Sequence, residues 1–124
     1  MEVKYERSCG IDVHKKTVVA CVIVAGPDGQ PTKDTRTYDT MMEDLEALSG
    51  WLGEQGVTHV AMESTGVYWK PVYNLLDGRF EVLVVNAEHV KALSGRKTDV
   101  ADAEWIADLL RHGLLKGGDQ PASV

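Results

Sequence analysis

The hydrophobic pattern of the chain changes period near residue 40, from strands alone to strands separated by helices, and that change limits what it can fold into. Before it, Cys9 to His14 and Thr17 to Ala25 are rich in Val, Ile and Cys and read as two strands, with Lys15 and Lys16 at the turn between them. Pro27-Asp28-Gly29 is a turn signal, and Thr32 to Tyr38 reads as a third, more polar strand. After it, Met41, Leu45, Leu48 and Leu52 recur at helical spacing with acidic residues between them, and Gly50, Gly53 and Gly56 weaken that helix towards its end. Val57 to Met62 reads as a buried strand, followed by a turn at Ser64-Thr65-Gly66. A short helix is expected from about Tyr68 to Leu76, with Pro71 in its first turn, and then a buried strand from Phe80 to Val85. Ala87 to Leu93 reads as a short helix and Ser94 to Lys97 as a loop. Asp99 to His112 is the clearest helix, stopped by Gly113.

An antiparallel meander leading into helix-separated strands gives an α/β fold: a mixed sheet with helices packed against it. The ribonuclease-H-like fold has this order of elements, and so does the first half of an actin-like ATPase domain. Order alone does not choose between them. The 124 residues suit one compact domain, and 44% hydrophobic with 26% charged residues argues against a chain that is disordered as a whole. No apolar run reaches the roughly 18 residues of a membrane span, and the N-terminus lacks the order of a signal peptide. A cytoplasmic location is the expectation. Cys9 and Cys21 read as small buried hydrophobes, although adjacent strands leave a disulfide open, and no Cys/His spacing suggests zinc.

Four carboxylates stand out by position. Asp12 lies inside the first strand, between Ile11 and Val13, where Asp is unfavourable unless something demands it. Glu63 ends the apolar run His59-Val60-Ala61-Met62, where a side chain can project from the carboxyl edge of a sheet. Asp99 and Asp102 open the last helix on one face. Asp102 also heads the stripe Ile106, Leu109 and Leu110, so it sits on the face that should pack on the sheet, a costly place for an unpartnered carboxylate. Each has a bland reading alone: Asp99 as an N-cap, Asp102 as an acid favoured by the helix dipole, Glu63 as a solvent residue at a strand end. Together they read as a site converging on divalent metal. Hard oxygen ligands suit Mg²⁺ or Mn²⁺, and clustered carboxylates need cation charge to stay ionised. Two ions about 4 Å apart can serve the attacking and leaving oxygens of phosphodiester cleavage.

Around these lie weaker candidates. His14 points to the same face as Asp12 and reads as a proton carrier, a phosphate contact or a solvent residue. Ser64 and Thr65 have no His-Asp relay and read as turn residues. Tyr68 and Trp69 read as core side chains rather than base-stacking ones. The net charge of −6 is wrong for an ordinary nucleic-acid binder, but the stretch from Asp39 to Glu63 carries six acidic residues and no Lys or Arg. The remainder is balanced at 13 acidic and 13 basic residues, which leaves Lys15, Lys91, Arg96 and Lys97 as candidate phosphate contacts with weak unaided affinity for DNA.

Three stretches carry a family resemblance. Gly10-Ile11-Asp12-Val13-His14-Lys15, Met62-Glu63-Ser64-Thr65-Gly66-Val67-Tyr68-Trp69 and Lys97-Thr98-Asp99-Val100-Ala101-Asp102-Ala103 resemble the N-terminal domain of the DEDD transposases of bacterial insertion sequences, to which the Piv-type DNA invertases are related. The resemblance runs from about Cys9 to Leu115. It implies a RuvC-like, ribonuclease-H-type domain over residues 1–115, with Asp12, Glu63, Asp99 and Asp102 as a catalytic tetrad holding one or two Mg²⁺ or Mn²⁺ ions. It also implies DNA recombination, in some members guided by a structured RNA of the element, and active sites completed between subunits of a homo-oligomer. The family has a second, C-terminal domain bearing a serine nucleophile. Residues 116–124 read instead as a flexible tail, so the chain is expected to bind metal and nucleic acid without full strand exchange. The competing expectations are a self-sufficient Holliday-junction resolvase or nuclease, an actin-like ATP-binding fragment, for which no glycine follows Asp12, and a non-catalytic assembly module.

Overall fold

A computed structural model of the chain describes residues 3–64, 66–86, 90 and 102–115, with the side chains of Ser64 and Asp102 outside that description. Three strands, β1 (Arg7–Val13), β2 (Thr17–Ala25) and β3 (Pro31–Asp39), form the antiparallel meander. Helix α1 (Met42–Glu54) and strand β4 (His59–Ser64) follow, then α2 (Trp69–Leu76), β5 (Glu81–Asn86) and α3 (Asp102–Arg111). The sheet order is β3-β2-β1-β4-β5, with β4 parallel to both β1 and β5. The mixed sheet expected from the sequence is therefore present, and β1 is its central strand.

The alternation of side chains along each strand divides the core in two. Cys9, Ile11 and Val13 of β1, with Val60 and Met62 of β4, face Leu45, Leu48, Trp51 and Leu52 of α1 and Trp69, Val72 and Leu76 of α2. On the other face, Ala61 and Val85 meet Ile106, Leu109 and Leu110 of α3, while Cys21 and Ile23 meet Ala103 and Ala107. The stripe read from the sequence for the last helix is thus the buried one. Cys9 and Cys21 are both free and lie on opposite faces of neighbouring strands, so strand adjacency brings no disulfide. Burial pushes both thiols up, Cys9 well above its ordinary value.

Two strands start later than the sequence suggests, because helix ends take their first residues. The Val57 N–H bonds the Leu52 carbonyl at 3.0 Å and the Gly56 N–H bonds that of Gly53 at 3.0 Å, so both residues close α1. Gly56 makes this closure with φ of 70°, a left-handed conformation that glycine adopts without steric cost. Gly50 and Gly53 stay within the helix. Phe80 similarly donates to Leu76, which delays β5 by one residue. Among the described residues, no helix is long and apolar enough to cross a membrane. The helix expected over 87–93 and the loop over 94–97 lie outside the described residues, apart from Val90, which is buried.

Candidate metal centre

Asp12 and Glu63 are register partners in the parallel pair of β1 and β4. Two residues earlier on each strand, Gly10 pairs with Ala61, whose side chain packs on α3. The period of two therefore puts both carboxylates on the α3 face, one step beyond the small pair. Both stand near the carboxyl ends of their strands, where β1 stops at Val13 and β4 at Ser64.

Helix α3 reaches this edge because its seat is made of small residues. A Cβ on Gly10 would collide with the Ala103 carbonyl oxygen and the Ala107 nitrogen, so the helix backbone lies directly on the β1 backbone. At the other end of the helix, the Arg111 carbonyl accepts from the Lys4 N–H at 2.7 Å and the Tyr5 N–H at 3.1 Å, just before β1 begins. Hence α3 runs against β1, and its first residue, Asp102, heads the end that lies towards Asp12. In the sequence Gly10 stands out only as the head of the first motif, with no role assigned to it. The signal that would have found its role is the pair Ala103 and Ala107, two small residues four apart on a helix that elsewhere buries Ile and Leu.

The Asp12 side chain is only 13% exposed, and its Oδ2 lies 2.9 Å from Nε2 of His14, which is 54% exposed. Among the described residues, His14 is the sole ion-pair partner of Asp12, and no three His, Cys, Asp or Glu side chains converge closely enough to hold an ion. Asp99 lies outside the described residues, and of Asp102 only the backbone position enters. The donor set still suits a hard divalent cation. Two carboxylates sit in register on adjacent strands, their like charges oppose each other, and a cation between them reverses the sign of that interaction.

The remaining sequence candidates divide. Lys15 is exposed at the turn after β1, where its carbonyl accepts from the Thr40 hydroxyl at 3.4 Å. Lys91, Arg96, Lys97 and Thr65 lie outside the described residues, and Ser64 is placed only as the last residue of β4. Trp69 is core, as expected, with its indole N–H donating to the Gly66 carbonyl at 3.1 Å and its ring edge-on to Tyr73. Tyr68 is not: it is 43% exposed, because α2 begins one residue after it and points Trp69 inward instead. The clefts lined by Val57, Thr58 and Glu81 and by Val3, Glu6 and Gly26 lie at the opposite, amino end of the parallel strands.

A family model of DEDD transposases of the IS110 type, described as "Transposase", matches residues 9–123. No curated protein matches the chain. Among solved structures, RuvC of T. thermophilus in complex with a Holliday junction substrate is 14% identical, with a TM-score of 0.57 over 87% of this chain and 97% of that one. A second Thermus thermophilus RuvC structure is 17% identical with a TM-score of 0.54, over 94% of this chain and 85% of that one. The fowlpox virus resolvase with its substrate Holliday junction DNA is 13% identical, with a TM-score of 0.55 over 89% of this chain and 99% of that one. At these identities the likeness shows the fold, which is RuvC-like.

Proposed function

Since the chain belongs to the DEDD transposase family, we propose that it supplies the metal-binding carboxylates for Mg²⁺-dependent DNA strand cleavage and exchange by an insertion-sequence transposase. The observation that carries this reading is the register pairing of Asp12 with Glu63 on the face closed by α3, whose first residue is Asp102. Asp12, Glu63, Asp99 and Asp102 would hold one or two Mg²⁺ or Mn²⁺ ions, and such ions when bound supply the positive charge that polarises a phosphodiester. The protein's own part is positional. The hydrogen-bonded ladder between β1 and β4 fixes the spacing of two of the carboxylates, and the close seat of α3 on Gly10 keeps the helix start at the same edge.

DNA is the proposed substrate, supported by the family and by the Holliday-junction DNA on which two of the similar structures were solved. Lys15, exposed two residues beyond the carboxyl end of β1, suits a phosphate contact beside the site. Lys91, Arg96 and Lys97 are proposed as further contacts, and a structured RNA and a second copy of the chain as partners, on the resemblance in their motifs.

A crystal of the protein soaked in Mn²⁺ tests the centre. Anomalous density on Asp12 with at least two of Glu63, Asp99 and Asp102 is the expected result. Carboxylates too far apart to share an ion would overturn it. A second reading, a resolvase that cuts junctions alone, is favoured by the near-complete coverage of the resolvase chains. Mg²⁺-dependent cutting of a four-way junction by the isolated chain, absent in Asp12→Asn, is what that reading needs.

A further inference from the structure

The sheet ends on β3, whose residues Thr32 to Thr37 are all exposed, and among the described residues nothing pairs with its outer edge. At nine residues it is as long as β2, whereas proteins commonly keep an edge strand short or guard it. The ladder to β2 shows which backbone groups are spare. Just beyond its two ends, the Thr40 N–H donates to the Lys16 carbonyl at 3.3 Å and the Gly26 N–H to the Gln30 carbonyl at 3.1 Å. Bonded and non-bonded pairs alternate along an antiparallel ladder, and the register from Thr17↔Asp39 to Ala25↔Pro31 joins these ends without a break. The even-numbered residues of β3 therefore bond β2, while Lys33, Thr35, Thr37 and Asp39 turn their N–H groups outward. Pro31, which has no N–H to offer, falls in the outward set.

We propose that β3 is a self-pairing edge: it meets β3 of a second copy antiparallel, centred on Thr35, and joins two five-stranded sheets into one. The charge order selects this centre. With Thr35 opposite itself, the whole strand is paired, and Asp34 lies across from Arg36 of the second copy, twice by symmetry. Moving the centre by one residue sets Asp34 against Asp34 or Arg36 against Arg36. A centre on Lys33 opposes two lysines, and one on Thr37 keeps only Thr35 to Asp39 in the ladder. Opposite charges across a strand pair are favourable and like charges are not. The Arg36 guanidinium is held 4.4 Å over the Trp51 ring, with the Asp34 carboxylate 3.8 Å from it, so both charges are placed in advance. Lys33, the kind of residue that keeps edges apart, is drawn instead to Glu104 of α3 at 3.1 Å. The proposal gives a surface to the second copy named above as a partner, and rests on that part of the reading, not on the metal centre.

The experiment is sedimentation equilibrium of the 124-residue chain, with amide hydrogen exchange followed by nuclear magnetic resonance. A strand pair without a large apolar anchor makes a weak interface, so the chain is studied from about 20 µM to 1 mM. A dimer is expected at the upper end. There the amides of Lys33, Thr35, Thr37 and Asp39 should exchange about fivefold more slowly than in dilute solution, and those of Asp34 and Arg36, already bonded to β2, should change less. Asp34→Arg and Arg36→Asp should each weaken dimerisation about tenfold, because two attractions become repulsions. An equal mixture of the two variants should associate within about threefold of the parent, since each basic position then faces an acidic one. A dimer that leaves the four outward amides unprotected, or that neither variant weakens, overturns the pairing of β3 while self-association stands. A chain that stays monomeric at 1 mM overturns both. The amide measurement needs no substitution, so it decides the matter even if a variant folds poorly.

Discussion

The two faces of the sheet are built on opposite principles. The face under α1 and α2 is filled with large apolar side chains, Ile11, Met62, Leu45, Leu48, Trp51 and Leu52, and among the described residues it buries no carboxylate. The face under α3 is lined at its centre by Gly10, Ala61, Ala103 and Ala107, and at its carboxyl edge by Asp12 and Glu63. A large core tolerates some loss of fit because neighbouring side chains share the gap. Backbone-on-backbone contact has no such slack. The difference shows how one sheet can serve both ends: one face stabilises the domain, and the other trades side-chain volume for a helix held close enough to bring its first residue to the strand ends.

Mutations placed on either face can break this contrast. Leu48→Ala should cost about 3 kcal/mol in urea unfolding, as a fully buried leucine truncated in a packed core, and should leave Mn²⁺ affinity unchanged. Gly10→Ala should cost a similar amount, near the top of the roughly 1–3 kcal/mol range for overpacking, but should also weaken Mn²⁺ binding, because α3 must shift to admit the methyl group. Equal effects of the two on Mn²⁺ would remove the distinction between the faces. Asp12→Asn comes next. At Mn²⁺ about 100 times the dissociation constant, binding stabilises a protein by about 2.7 kcal/mol, and this variant should lose that gain in a thermal melt without losing metal-free stability.

Smaller effects sharpen the picture. Burial raises the Cys9 thiol on the α1 face and, opposed by a hydrogen bond with Thr35, the Cys21 thiol on the α3 face. A thiol whose folded value is raised binds its proton more tightly in the native state. Stability is therefore fully present below the ordinary thiol value near 8.5 and falls as pH climbs above it, by up to about 1.4 kcal/mol per pH unit per thiol. Cys9→Ala should flatten that alkaline limb more than Cys21→Ala does, in unfolding curves between about pH 8 and 10. Least of all, Lys33→Ala should cost under about 1 kcal/mol and be masked by salt, since its 3.1 Å bridge from β3 to Glu104 of α3 is half exposed on both sides. A larger cost would mean that α3 depends on its rim rather than on its seat over Gly10.

Much of this was legible in the sequence, for reasons particular residues make plain. Thr17 to Ala25 coincides with β2 because its β-branched run is bounded by a lysine turn and by Gly26-Pro27. Gly113 stops α3 with φ of 73°, as its position after the stripe of Ile106, Leu109 and Leu110 suggests. Asp12 and Glu63 could be singled out as misplaced carboxylates, but their pairing needed the register, which hydrophobic pattern alone does not supply because any shift by two residues preserves it. The packing role of Gly10 is not legible for a different reason. Its importance lies in a contact with residues 103 and 107, far along the chain, and a missing side chain leaves no mark on a hydrophobic pattern.

The central place of β1 also sets a clock. Its α1 face is closed by elements that end at Leu76 and its outer parallel partner is complete at Asn86, whereas the α3 face waits for residues up to Arg111. On a ribosome adding about 5–20 residues per second, the 98 residues from Val13 to Arg111 take on the order of 5–20 s. Only after Asn86 are all five strands made, and until Arg111 follows the carboxylate edge has no α3 to cover it. The start of α3 reaches the edge that carries Asp12 only after most of the described residues have been synthesised, so unfinished chains lack the assembled edge.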